Sequence, residues 1–157
     1  MKLIKVIIFL NLLLLFFFSS SSEILFASSN GKALTPAPPI EFQTQGLFDP
    51  KNKYLDQGRV FIKNNKNQTI TISVNTESKS EVNSIGATVY LEKWNGTKWV
   101  QVGSGTTINT SKDWYFSGEV TKKAESGFYF RANVTHWISH NGVYEQGQTT
   151  TDYVLVG

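Results

Sequence analysis

Residues 84–102 read SIGATVYLEKWNGTKWVQV, and this stretch decides the fold. Asn95-Gly96 sits in its middle. Both residue types tolerate positive φ, so the dipeptide predicts a two-residue β-hairpin turn. That register sets Trp94 opposite Thr97, Glu92 opposite Trp99, Leu91 opposite Val100 and Val89 opposite Val102. Side chains alternate along a strand, so the hairpin has two unlike faces. Val89, Leu91, Val100 and Val102 form an aliphatic face, with Lys93 and Lys98 at its open tip. Tyr90, Glu92, Trp94, Trp99 and Gln101 form the other. The aliphatic face is the predicted core. The aromatic face is then predicted to be exposed, unless a second layer covers it.

The flanking chain continues in strands. Residues 59–63 and 69–75 are short runs, the second alternating Thr69, Thr71 and Ser73 against Ile70, Ile72 and Val74. Residues 77–83 are polar and predict a loop. Gly103-Ser104-Gly105 predicts a break, followed by a short edge strand at 106–109 and another strand at 113–121 with a possible bulge at Gly118. Phe128, Phe130, Ala132 and Val134 share one face of the next strand, and His140-Asn141-Gly142 turns the chain into two final strands. No helical period survives beyond the N-terminal segment. About seven strands with turn signals every 8–12 residues describe an antiparallel β-sandwich of immunoglobulin or fibronectin-III type. A small β-barrel is the alternative.

The N-terminal end has a different layout. Met1-Lys2 and Lys5 are followed by the apolar run VIIFLNLLLLFFF (6–18) and then by small residues up to Ser29. This is the order of a secretory signal peptide, with cleavage after Ser22, Ala27 or Ser29. The run is shorter than the roughly 20 apolar residues that a spanning helix needs. The expected organisation is therefore a signal peptide at 1–29, a Pro-containing leader at 30–57 and a β-sandwich domain at 58–157. The leader reads either as a flexible spacer or as a segment along a sheet edge, anchored by Phe48 or Tyr54.

Composition limits the chemistry. The 157 residues carry a formal net charge of +3, and 13 basic against 11 acidic residues remain beyond Lys2, Lys5 and Glu23. That balance is too even for a nucleic-acid partner. With no Cys, thiol catalysis and Cys-ligated zinc are excluded, and stability must come from the core. His136 and His140 are the only histidines. On a strand they lie on one face roughly 13 Å apart, too far to share an ion. No Ser sits in a nucleophile elbow, and no carboxylate pair is singled out for glycoside chemistry. Catalytic residues, metal ligands and cofactors are all expected to be none.

The blocks YLDQG (54–58), VYLEKWNGTKWV (89–100), GFYFRANVTHW (127–137) and 145–151 together resemble a family of small secreted proteins of Bacillus-like bacteria, catalogued as a domain of unknown function. The resemblance implies an extracellular bacterial all-β protein and implies no activity. The expected function is thus a secreted, non-catalytic binding module. Tyr90, Trp94 and Trp99 are the candidate contact surface, with Lys93 and Lys98 at its edge. Cell-wall polysaccharide or another extracellular protein is the expected partner. The alternatives are an antibacterial or toxin-like effector that contacts membranes, and an unrecognised hydrolase.

Overall fold

In the computed structural model, residues 32–41 and 46–157 are described; the signal-peptide reading of residues 1–29 falls outside them. Among these residues the fold is all β, with no helix. The strands are β1 (Gly46–Leu47), β2 (Leu55–Asn64), β3 (Thr69–Trp94), β4 (Trp99–Lys123), β5 (Tyr129–His140), β6 (Val143–Thr150) and β7 (Val154–Leu155). They belong to one antiparallel sheet in the order β1-β2-β3-β5-β6, with β4 on the free side of β3 and β7 on β5. The sheet curls into a half-barrel.

The curl follows from β3. A straight strand of 26 residues would run about 85 Å at 3.3 Å per residue, far longer than a core this size can cover. β3 bends instead. Thr76 Oγ1 donates to the Gly86 carbonyl at 3.2 Å, although ten residues of extended chain span roughly 33 Å. The bend occupies the polar stretch expected to be a loop, where Lys79, Ser80 and Glu81 are exposed and the pairing with β4 shifts between Glu77 and Val82. Opposite it, Lys112 takes a left-handed φ of 54°, and the Asp113 carboxylate accepts the amides of Trp114 and Tyr115. The inward phase switches across the bend. Even residues are buried from Ile70 to Ser78, and odd residues from Ile85 to Leu91.

The hairpin thus folds over itself into two layers with the core between them. Val60, Ile70, Ile72, Val74 and Phe116 come from one half; Val89, Leu91, Phe130, Val134 and Ile138 come from the other. β2 pairs only with the first half of β3, and β5 only with the second.

The sheet begins before Gly58, so the expected domain boundary moves N-terminally. Leu55 is fully buried, and Gly46–Leu47 pairs with Gln57–Gly58. The Glu145 carboxylate accepts three consecutive backbone amides, from Lys53 (2.6 Å), Tyr54 (2.9 Å) and Leu55 (2.7 Å). Desolvation works to raise its pKa, but the three N–H donors and nearby Lys79 outweigh it and hold the carboxyl below the usual range. Phe48 packs against the core, its ring 5.6 Å from that of His136.

His136 is the polar centre of this core and is fully buried. Its Nδ1 lies 2.8 Å from Thr76 Oγ1 and its Nε2 lies 2.8 Å from Thr149 Oγ1. Thr76 spends its own proton on the Gly86 carbonyl, so its oxygen accepts from His136. The ring is therefore the Nδ1–H tautomer, and Nε2 accepts from Thr149. The chain Gly86–Thr76–His136–Thr149 joins the bend of β3 to β5 and β6.

Burial lowers the His136 pKa from 6.5 to about 4. The unfolded chain binds this proton below pH 6.5 and the folded chain does not until about pH 4. Stability is therefore fully present above pH 6.5 and is lost as pH falls toward 4, by about 3 kcal/mol in all. Denaturant titrations across this range should show that fall, and His136→Gln should flatten it.

A Cβ at Gly58 would stand 2.6 Å from the His136 ring, which two hydroxyls hold in place. Gly58→Ala should cost about 1–3 kcal/mol, as overpacking of a core does, measured as a lowered melting temperature.

Candidate functional site

Because the odd residues of upper β3 face the core, its even residues face outward. The register then lays out the outer surface in rows. Thr107, Thr88, Thr135 and Gln148 form one row across β4, β3, β5 and β6. Thr88 and Thr107 hydroxyls lie 3.0 Å apart. On one side of this row Tyr90 neighbours Asn133; on the other, Asn109, Trp137 and Gln146 flank Gly86. Adjacent strands are about 4.8 Å apart, so hydroxyls and amides recur at short spacing.

Aromatic rings bracket the lattice. At one end Trp137 and Tyr144 stack, with centroids 6.3 Å apart and planes at 21°; Tyr144 is 58% exposed. At the other end Trp94 and Trp99 pair at 5.3 Å. Tyr153 lies 6.3 Å from Trp99 and meets Tyr129 edge to face. Tyr90 stands between the two ends. A Cβ at Gly105 would meet its ring at 2.6 Å. Gly103-Ser104-Gly105 is thus not a strand break. It bulges out of β4, between Val102 and Thr106, to seat Tyr90.

The structure corrects several expectations. Trp94 pairs with Trp99, not Thr97, and Glu92 with Gln101. The hairpin tip is centred on Gly96-Thr97, where the Asn95 side chain accepts the amides of Thr97 and Lys98. Partners along β4 move by two residues near the tip and by four beyond the bulge, where Val89 faces Thr106; both are even numbers, so the two faces keep their membership. The aliphatic face is only half core. Val89 and Leu91 are buried, whereas Val100 and Val102 are 41% and 38% exposed on β4, which pairs on one side only.

The aromatic face is not the open patch expected. Trp94 is 6% exposed and Trp99 half-buried. The Pro-containing leader runs beside this end of the hairpin. The Leu34 amide bonds the Gly127 carbonyl at 2.8 Å, Thr35 and Pro36 lie against Gly96, and Pro38 is buried. Glu41 pairs with Arg131 at 2.5 Å. Arg131 also binds Glu92 at 2.6 Å and lies 4.5 Å over the Trp99 ring.

Nor do the lysines edge the rings. Lys93 is on the opposite face, 3.0 Å from Glu125 and over Phe128. Lys98 is exposed in the turn. Trp114 is 57% exposed just past the bend. His136 and His140 do not converge. His140 accepts the Asn83 amide and packs edge-on against Tyr54, and no cluster of metal-binding side chains occurs among the described residues.

Sequence reasoning missed Arg131, the Trp137–Tyr144 pair and the leader beside the hairpin. The alternation of β5 carried a signal for the first two, because it puts Arg131 and Trp137 on the face away from Phe130. A Pro-rich segment and a Trp pair in one chain was the available signal for the third.

No family model and no curated protein matches the chain. Among solved structures, a protein from Archaeoglobus fulgidus is similar at 10% identity and a TM-score of 0.36, over 66% of this chain and 98% of that one.

Trp94→Ala should lower stability by about 3 kcal/mol or more, as for a buried Trp. Tyr144→Ala should stay within about 0.5 kcal/mol. Urea titrations of the two variants check the contrast.

Proposed function

We propose that the protein is a secreted, non-catalytic binding module whose ligand is a neutral glycan, such as a cell-wall polysaccharide. The observation that carries this reading is the outer lattice of Thr, Asn and Gln side chains with aromatic rings at its margins. Hydroxyls and amides both donate and accept, which suits a polyol. Exposed ring faces suit the apolar faces of sugar rings. The lattice carries no charge between the Glu92–Arg131 pair and Trp137, so it offers nothing to an anionic polymer. The basic and apolar N-terminal sequence supports an extracellular setting, as does the resemblance to small secreted proteins of Bacillus-like bacteria. The grouping with immunoglobulin- and fibronectin-III-like sandwiches rests on strand number and spacing.

The test is affinity electrophoresis of the full chain through gels containing cellulose derivatives, xylan, mannan, starch-type glucan or solubilised peptidoglycan. At least one neutral glycan should retard the wild type, and Trp137→Ala/Tyr144→Ala should migrate freely with an unchanged melting temperature. A wild type that no glycan retards overturns the reading.

A further inference from the structure

Residues 35–39 read Thr-Pro-Ala-Pro-Pro. Proline fixes φ and removes amide donors, so such a segment favours an extended polyproline-type backbone with all its carbonyls free. Here it passes the end of the hairpin that carries Trp94 and Trp99. Leu34 at Gly127, Thr35 and Pro36 at Gly96, and Glu41 at Arg131 mark a path beside Trp94 and Trp99. Aromatic-lined grooves recognise polyproline segments by this combination of ring faces and indole N–H donors.

The fit is incomplete. Among the described residues, Trp94 Nε1, Trp99 Nε1 and Thr35 Oγ1 are buried without a hydrogen-bond partner. Two of these are indole donors at the groove, and the third belongs to the segment that fills it. Each unmade bond costs a desolvation penalty that a better-placed acceptor would remove. The resident segment thus leaves binding free energy unused.

We propose that the Trp94/Trp99 surface is a recognition groove for a proline-rich extended segment of a partner protein, and that residues 34–41 are a displaceable cover. A partner with carbonyls in register with the two indoles gains both hydrogen bonds and replaces the cover. Arg131 then exchanges Glu41 for an acidic side chain of the incoming segment. The site is separate from the lattice at Trp137 and Tyr144, and it stands or falls independently of the glycan reading.

The test follows the four indole N–H resonances of the full chain labelled with ¹⁵N-tryptophan. The probe is the free peptide PPPAPPPAPPE, whose run of prolines offers carbonyls in several registers and whose last residue is acidic, and the control is GGGAGGGAGGE. The expected result is a saturable shift of the Trp94 and Trp99 signals with the first peptide only, while Trp114 and Trp137 stay still. Pro36→Gly/Pro38→Gly in the full chain weakens the internal competitor. It should tighten peptide binding by about tenfold, as relief from a competing occupied state does. If that variant unfolds, the wild-type titration decides alone. Static Trp94 and Trp99 signals, an equal response to the control peptide, or a folded variant that binds no tighter would each overturn the proposal.

Discussion

The bend in β3 is the constraint from which the remaining architecture follows. A long hairpin can bury one face only if something packs on it, and here the hairpin packs on itself. The Thr76–Gly86 hydrogen bond closes the fold-over, and His136 extends that link into β5 and β6. One buried imidazole with both nitrogens engaged thus ties three strands together. The register shifts at Glu77–Val82 and the left-handed Lys112 are the local distortions that let both strands turn at one place.

The sorting of side chains between inside and outside was legible because it depends on parity alone. Moving the hairpin tip from Asn95-Gly96 to Gly96-Thr97 changed every partner along β4 and no face. What parity does not carry is which outward face is then covered. Val100 and Val102 alternate like core residues yet lie on a strand paired on one side only. Trp94 alternates like a surface residue yet is buried, at an end of the hairpin that a segment some sixty residues earlier runs beside. The polar run at 77–83 and the glycines at 103–105 carry turn chemistry, and in the fold they serve as a bend and a bulge inside continuous strands. Such long-range contacts leave no local period in the sequence.

The two ends of the outer face differ in character. At Trp137 and Tyr144 the rings stand beside neutral hydroxyls and amides. At Trp94 and Trp99 they are enclosed by a cation, two carboxylates and a rigid strap. Arg131 couples these elements. It holds Glu92 on the neighbouring strand, lies over Trp99 and reaches Glu41 on the strap, so it senses whether the strap is seated. The lattice lies on the far side of this residue, so the aromatic tip changes its cover while the strands beneath keep their pairing.

The Glu145 clamp has a consequence for how the chain is assembled. Its carboxylate holds the Leu55 amide ninety positions earlier in the sequence. Contacts of such separation must close a large loop and are formed late in folding. During synthesis, the start of β2 emerges long before β6 exists to receive it. Until then the segment around Tyr54 can lean on β3, where the Lys79 amide and the Ser78 hydroxyl bond the Tyr54 carbonyl, but its own amides wait for Glu145. A strand made late thus completes the docking of one made early.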